Sequence, residues 1–480
     1  MIESAALGVS PVPSRSMTPE VSPELLSRLD VNGPRYTSYP TADRFVEAFG
    51  VEQYQQALQQ RGQGVGALTG GASALSVYVH IPFCDSVCYY CACNKVITKH
   101  HERAVEYLDA LRMEIDLVCR EVGRGQPLSQ LHLGGGTPTF LSDDQLEMLL
   151  GMLQSAFRFV PGGEFAIEID PRTVSAERLR RLAAMGFNRL SFGVQDFDPQ
   201  VQQAVHRIQP REQVAELVSV AKAEGFESLN MDLIYGLPKQ TLAGFRTTLT
   251  QVAELRPDRI ALYAYAHLPQ RFKPQRRIDS GALPAPDDKV AMLAMAIEAF
   301  SAAGYDYIGM DHFALRHDSL AVAKRQGRLH RNFQGYSTHP DCDIIALGVS
   351  AIGRVGAHYS QNAKTLDDYY DALRRGQLPV ARGLTLTRDD LVRRAVIMAL
   401  MCQGRVDFES IELAYLVDFR QYFASEMRLL EPLVESGLVQ MESDGIRVTP
   451  LGWYFVRAVA MPFDRHLQAD RTAERFSRII

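Results

Sequence analysis

Residues 76–100 read SVYVHIPFCDSVCYYCACNKVITKH. Val77, Val79 and Ile81 alternate with Tyr78 and His80, the two-residue period of a strand. Pro82 ends it, because proline cannot donate to a sheet ladder. Cys84, Cys88 and Cys91 follow, with gaps of three and two residues. That spacing lets one loop wrap three thiolates around one inorganic centre. Three is one short of the set that closes an ordinary iron–sulfur cluster. One iron then stays open to a small molecule, as an open position separates a catalytic metal site from a structural one. Tyr89 and Tyr90 sit where rings would shield a cluster from water. A structural zinc loop is the competing reading. Zinc usually takes two ligand pairs, however, and Cys119, Cys342 and Cys402 are scattered. Cys93 reads either as a fourth ligand or as a small apolar filler. Its one-residue gap from Cys91 leaves little slack for both thiolates to reach separate irons.

The chain around this stretch has 480 residues, enough for a large core and more than one domain. Its 51 basic and 56 acidic residues leave a net charge of −5. That balance does not suit a nucleic-acid or membrane polyelectrolyte. No apolar run approaches the ~18 residues of a membrane span. Residues 1–18 are polar, carry two prolines and lack a basic-then-apolar signal pattern, so a flexible N-terminus is expected. Seven cysteines without a signal pattern point to a reducing compartment, and so to the cytoplasm.

Residues 19–75 are expected to form an N-terminal extension and linker. The phrase Asn32-Gly33-Pro34-Arg35-Tyr36-Thr37-Ser38-Tyr39-Pro40 makes an ordered loop rather than a helix. It reads either as a surface strap or as a lid whose Arg35 faces an anionic substrate. Residues 61–75, rich in Gly and Ala, read as linker. From 76 to 310, strand patterns (76–81, 129–133, 165–170, 188–194, 228–234, 258–264) alternate with amphipathic helical ones (101–121, 142–157, 175–185, 211–224, 241–255, 286–303). This order predicts an α/β fold with a parallel sheet. Chemistry-bearing residues cluster at the strand ends, where barrel active sites form. They include Gly134-Gly135-Gly136-Thr137, then Glu168 and Asp170, then Gln195, with Arg207 beyond, and Asp232. Glycines let a backbone approach a ligand closely. Arg172 is an alternative ion-pair partner for the two carboxylates.

The Cys-x3-Cys-x-aromatic-Cys motif at a strand end resembles the radical S-adenosylmethionine (SAM) superfamily. With Cys93 added, the pattern resembles one branch, the oxygen-independent coproporphyrinogen III oxidases of haem synthesis. The likeness runs from about Asn32 to the end. It implies a partial (β/α)6 barrel over 76–310 and one [4Fe-4S] cluster on Cys84, Cys88 and Cys91. The open iron would hold SAM, whose reductive cleavage yields a 5′-deoxyadenosyl radical. The resemblance further implies that Tyr78, Gly135, Glu168, Ala266 and Ile352 contact this SAM. Tyr90, Gly136, Thr137, Gln195, Arg207 and Asp232 would line a second SAM position. Tyr78, Cys93 and Glu168 are the catalytic candidates. The resemblance also favours the lid reading of residues 32–40.

Residues 311–362 are expected as a substrate-loop region. A flat macrocycle needs aromatic walls and its propionates need basic donors. Leu329-His330-Arg331-Asn332-Phe333-Gln334-Gly335-Tyr336 offers both. Arg35, His330, Arg331, Phe333 and Gln334 are substrate candidates, and Lys273, Arg276 and Arg277 are further candidate donors. Residues 363–480 read as a mainly helical, winged-helix-like C-terminal domain covering the barrel mouth. Without a dense basic recognition helix, no nucleic-acid role is expected. The implied reaction converts two propionates of coproporphyrinogen III to vinyl groups, giving protoporphyrinogen IX. It requires a flavodoxin- or ferredoxin-type electron donor and an electron acceptor of unknown identity. A monomer is expected on family grounds. The alternatives are a haem-binding chaperone on the same fold, which Cys93 and the Arg35 segment disfavour, and another radical SAM enzyme acting on an anionic substrate.

Overall fold

The computed structural model describes residues 33–64, 74–339 and 342–469; the expected flexible N-terminus, 1–18, lies outside them. The linker expected at 61–75 overlaps helix α1 (Val51–Gly62) and strand β1 (Leu75–Ile81), and its residues 65–73 are outside the described ones.

Six parallel strands form the middle of the main sheet. They are β1 (Leu75–Ile81), β2 (Gln126–Gly135), β3 (Phe157–Ile169), β4 (Arg189–Gln195), β5 (Ser228–Tyr235) and β6 (Arg259–Ala264), adjacent in that order. Each leads to a helix: α2 (Arg103–Val122), α3 (Asp143–Ala156), α4 (Ala176–Ala184), α5 (Arg211–Ala223), α6 (Leu242–Leu255) and α7 (Pro286–Ala302). Local chemistry sets the helix starts. Ser142 accepts the Gln145 N–H while the Gln145 side chain caps the Ser142 N–H, a capping box; Ser175 and Thr241 cap α4 and α6. These are the six βα units expected from the alternation of patterns.

The strands divide their side chains by parity. Leu131, Leu133, Ile167, Leu190, Phe192, Leu229 and Met231 are buried in the apolar core with the helices. Gln130, His132, Glu164, Glu168, Ser191, Asn230 and Asp232 line a cavity on the other face. The sheet therefore curls around a polar interior.

The sheet continues beyond residue 310. Strands β7 (Tyr305–Gly309) and β8 (His312–Leu315) add an antiparallel hairpin at β6. A separate hairpin pairs β9 (His330–Asn332) with β10 (Gly335–Ser337). On the other side β11 (Ile344–Leu347) runs parallel to β1, followed by antiparallel β12 (Ile352–Val355), β13 (His358–Asn362) and β14 (Val380–Thr385). The full order is β14-β13-β12-β11-β1-β2-β3-β4-β5-β6-β8-β7, open at both ends. Much of the segment expected as substrate loops is thus strand.

After α8 (Leu366–Arg374), the C-terminal part comprises α9 (Arg388–Gln403), α10 (Phe408–Tyr415) and α11 (Ala424–Glu435). A small sheet joins β15 (Arg405–Asp407), β17 (Gly445–Val448) and β16 (Val439–Met441) in that order, the expected wing. Its apolar core takes in Tyr36, Tyr39, Ile308, Met310 and Tyr336 from outside the domain. The Tyr336 hydroxyl donates to Met401 O at 2.9 Å, and Trp453 Nε1 to Ile308 O at 2.9 Å. The domain therefore backs the hairpins rather than standing apart, and through Tyr336 it supports a cavity wall. Among the described residues, no helix is long and apolar enough to cross a membrane.

Candidate active site

The cysteine loop begins where β1 ends. Phe83–Cys84 and Val96–Ile97 pair as a two-residue ladder, with Val96 N–H on Pro82 O at 2.8 Å and Thr98 N–H on Cys84 O at 3.0 Å. Residues 85–95 are thereby closed into a loop. The end of β2 holds its entrance: Gly136 N–H donates to Ile81 O at 2.8 Å and Thr137 N–H to Phe83 O at 2.9 Å. A Cβ at Gly136 would stand 2.6 Å from Pro82 O, so only glycine permits this approach.

Each cysteine meets a donor. Thr137 Oγ1 donates to Cys84 Sγ at 3.4 Å; Arg172 Nη2 and Arg207 Nη1 both reach Cys88 Sγ at 3.4 Å. The Cys93 thiol hydrogen-bonds Cys91; this contact lowers the Cys91 thiol and raises that of Cys93, while the nearby Lys95 ammonium acts to lower both. Cys91 is the thiolate of the pair and Cys93 its S–H donor. Burial pushes the Cys84 thiol up to about 11, so it ionises only with a cation at the sulfur. Hydroxyl and guanidinium donors on sulfur suit an anionic iron–sulfur cluster at this loop.

Asp170 braces the two arginines, accepting from Arg172 at 2.7 Å and Arg207 at 3.2 Å. Against the cost of burial, Arg207 and Arg172 hold its carboxyl below the usual range. The ion pair weighed for Glu168 and Asp170 falls to Asp170 alone. Glu168 faces the cavity, with Oε1 on His132 Nε2 at 3.1 Å and Oε2 accepting the Gly135 N–H at 3.2 Å.

The cavity measures about 870 Å³. Its walls on the β12–β11–β1–β2–β3 side include Ile352, Tyr78, Gly135 and Glu168, with Cys93 from the loop. On the β5–β6–β8 side stand Asp232, Tyr263, His312, Phe333, Gln334 and Tyr336. Tyr78 hydrogen-bonds His80 Nδ1 at 3.1 Å and stacks on His132 at 5.8 Å. Asp232 is held by Ser191 Oγ at 3.0 Å and Asn230 Nδ2 at 2.9 Å. Burial and the neighbouring Glu168 charge push its carboxyl up to about 6.

The far wall is under-satisfied. On it His312 Nδ1 and Gln334 Nε2, and just outside the lining Arg331 Nε and Nη1, are buried without a hydrogen-bond partner. Arg331 is 5% exposed and lies 4.6 Å over the ring of Tyr336. Burial and the Arg331 charge bring the His312 imidazole down to about 3, so it is neutral.

Not every expected residue reaches this cavity. Of the residues expected with Asp232 around a second ligand, Tyr90 is in the cysteine loop, Gly136, Thr137 and Arg207 pack against the loop and its entrance, and Gln195 is outside the cavity lining. Arg207 does meet a carboxylate, that of Asp170, but through Nη1 alone, its Nε and Nη2 both donating to Gly193 O. Ala266 is outside the lining and accepts from Gln275 at 3.2 Å. Arg35 pairs with Asp311 at 2.6 Å and lies 5.3 Å over the ring of Tyr263. His330 pairs with Ser337 across the β9–β10 hairpin, outside the lining. Lys273, Arg276 and Arg277 are exposed on an outer turn. Sequence reading missed His132, His80, Asn230 and Tyr263. Their signal was parity: polar residues at every second position of strands whose other face is apolar.

The Radical SAM superfamily pattern matches residues 78–252, and that of the HemN C-terminal domain matches 386–455. The oxygen-independent coproporphyrinogen III oxidase of Pseudomonas aeruginosa is 48% identical over 459 residues, covering 95% of this chain and 98% of that protein. Its counterpart from Escherichia coli is 45% identical over 456 residues, at 95% and 98% coverage. A solved structure of the Escherichia coli coproporphyrinogen III oxidase, described as a radical SAM enzyme, matches with a TM-score of 0.86 at 46% identity, over 90% of this chain and 98% of that one. Likeness of this order covers the N-terminal segment and the C-terminal domain as well as the cysteine-loop barrel, and the chain therefore belongs to the radical SAM family of oxygen-independent coproporphyrinogen III oxidases.

Proposed function

We propose that this chain converts two propionate side chains of coproporphyrinogen III to vinyl groups without oxygen, giving protoporphyrinogen IX. Family membership sets aside the zinc loop, and near-full-length identity to named oxidases disfavours the haem chaperone. The observation that carries the substrate is the continuity of the 870 Å³ cavity. It joins the Tyr78–Glu168 wall beside the cysteine loop to a wall of aromatic rings with unpartnered buried donors.

In this reading Cys84, Cys88 and Cys91 hold the [4Fe-4S] cluster, and Tyr78, Gly135, Glu168, Ala266 and Ile352 hold SAM. When bound, these groups supply the hydrogen-abstracting radical chemistry of the family. The protein's own side chains bind, orient and exclude water, which protects a reactive species from side reactions. Glu168 keeps one oxygen on a backbone N–H, so its carboxylate is fixed toward the cavity. Asp232 offers a second carboxylate and supports a second SAM position, which Tyr90, Gly136, Thr137, Gln195 and Arg207 would border from the loop side. Cys93, as an S–H donor on the wall, keeps its place as a catalytic candidate. His312, Gln334 and the charge of Arg331 suit substrate carboxylates, with Phe333 against the macrocycle and Arg35 and His330 behind the wall. A flavodoxin- or ferredoxin-type donor, an electron acceptor and a cytoplasmic monomer complete the reading.

Asp232 makes SAM binding pH-dependent. Its carboxyl titrates near 6, so the anion that would accept a SAM ammonium or hydroxyl is lost below that value. SAM affinity, measured by equilibrium dialysis, is expected to fall several-fold between pH 7.5 and 5.5. Asp232→Asn should bind weakly at both. A wild-type affinity independent of pH would remove Asp232 from the site.

Arg331→Met tests the far wall. A buried guanidinium with two orphaned nitrogens costs stability, so the variant is expected to unfold at a higher temperature, by roughly 1–2 kcal/mol of added stability. It should also raise KM for porphyrinogen. A lower unfolding temperature with unchanged KM would sink both claims.

The reaction is tested by anaerobic turnover with reconstituted cluster, reductant, SAM, coproporphyrinogen III and an electron acceptor from cell extract. Divinyl product by mass spectrometry, with methionine and 5′-deoxyadenosine, is the expected result. SAM cleavage without porphyrin product would indicate another substrate. Haem binding with no SAM cleavage would indicate the chaperone.

A further inference from the structure

The four cations Arg271, Lys273, Arg276 and Arg277 lie within seven residues of a chain whose net charge is −5. All four are exposed. The cavity walls take only Phe272 from this turn, so carboxylates inside the cavity do not explain the charges.

The turn is fastened to the cysteine loop. Gln275, 1% exposed, donates through Nε2 to Tyr90 O at 3.0 Å and to Ala266 O at 3.2 Å, and its Oε1 accepts the Leu268 N–H at 2.6 Å. A buried amide with both ends satisfied fixes the turn relative to the loop. The Arg277 guanidinium lies 5.3 Å over the ring of Tyr89. Tyr89 in turn stacks on His206 at 5.1 Å with an interplanar angle of 9°. Tyr89 and Tyr90 sit in sequence between Cys88 and Cys91. Arg172 adjoins this face, touching Cys88 Sγ and His206 O, both at 3.4 Å. Nearby, Asp170 is taken up by Arg172 and Arg207, and Asp279, which accepts the Gly281 N–H, offsets one of the four cations and leaves the turn strongly basic.

We propose that the 271–277 turn, with Tyr89 and His206, is the docking surface for an acidic one-electron carrier protein. This rests on the reading of Cys84, Cys88 and Cys91 as cluster ligands. One electron leaves the carrier's reduced centre and enters the cluster; no bond forms and no proton moves. An acidic carrier and a chain of net charge −5 repel at long range, so a local basic patch decides where the two meet. At physiological salt the field of such a patch is screened within about 8 Å, which makes the encounter salt-dependent.

The test is the holoenzyme carrying Arg276→Glu and Arg277→Glu together, with reduced flavodoxin as the carrier. Calorimetric affinity at low salt is expected to weaken at least tenfold, with a flattened salt dependence. The rate of cluster reduction by flavodoxin, followed by absorbance, should fall in proportion. Dithionite, which needs no docking surface, should reduce wild type and variant at equal rates, and iron content should be unchanged. Unchanged flavodoxin affinity overturns the proposal, as does an equal slowing with dithionite. Both measurements are made without porphyrinogen, so an error in the substrate reading shows in turnover alone.

Discussion

Cys84→Ala, Cys88→Ala and Cys91→Ala are each expected to abolish the [4Fe-4S] cluster, while Cys93→Ala keeps it. Iron should fall from about four per chain to near zero in the first three, with loss of the broad visible absorbance. The reason lies in how the four sulfurs are met. Cys84 accepts from Thr137, Cys88 accepts from Arg172 and Arg207, and Cys91 accepts from Cys93. Three sulfurs are acceptors, as ligand thiolates must be. Cys93 alone is a donor, and the same contact that lowers Cys91 raises Cys93. Cys93 also lines the cavity, so its alanine variant should carry iron yet turn over more slowly. Iron lost from the Cys93 variant, or retained in any of the other three, would sink the ligand assignment.

The sequence was most legible where one rule governed a segment. The six βα units could be placed because strands buried on their outer face carry apolar residues, with capping residues and prolines marking the ends. The place of the cysteine loop was legible because Pro82 stops the strand at Ile81, just before it. Legibility ended where partners come from distant segments. Arg207 and Asp170 are 37 residues apart in sequence, and nothing local says that each satisfies the other. Residues 311–362 hid strands because Gly-Tyr-Ser and His-Arg-Asn carry no apolar alternation, and Ile344–Leu347 is a short apolar run without period. Lys273, Arg276 and Arg277 could not be told from substrate donors, since charge does not reveal which way a turn faces.

Glu114→Leu is expected to destabilise the protein by roughly 3–5 kcal/mol and to raise KM for SAM, although Glu114 is no part of the cavity wall. Glu114 lies in α2, 1% exposed, among apolar residues. It accepts from Gly348 N–H at 2.7 Å, Asn362 Nδ2 at 2.6 Å and the Tyr369 hydroxyl at 2.6 Å. Leucine would strand three buried donors, each costing about 1–3 kcal/mol, not additively. The functional effect follows from what those donors hold. Gly348 has φ +96°, and a Cβ there would stand 2.6 Å from His80 O, so the chain is clamped against β1 at this point. Tyr107 adds a second clamp, donating to His80 O at 2.6 Å and accepting the Val349 N–H at 3.0 Å. From this clamp the chain runs directly to Ser350, Ala351 and Ile352 on the cavity wall. Loosening it should weaken SAM binding more than it slows the chemical step. Glu114→Gln, which keeps an acceptor for Gly348 and Tyr369, should recover most of the SAM affinity. The pH dependence has a definite sign. Burial pushes the Glu114 carboxyl from its ordinary 4.5 up to about 7, so the folded state holds this proton more tightly than the unfolded chain. The associated stability is present in full below pH 4.5 and is lost as pH rises to about 7, some 3 kcal/mol in all. Leucine cannot titrate, so its deficit against wild type should be larger at pH 5 than at pH 8 in urea unfolding. Equal deficits would show that Glu114 is ionised at both, its three donors outweighing burial. An unchanged KM for SAM would reduce the clamp to a purely structural brace.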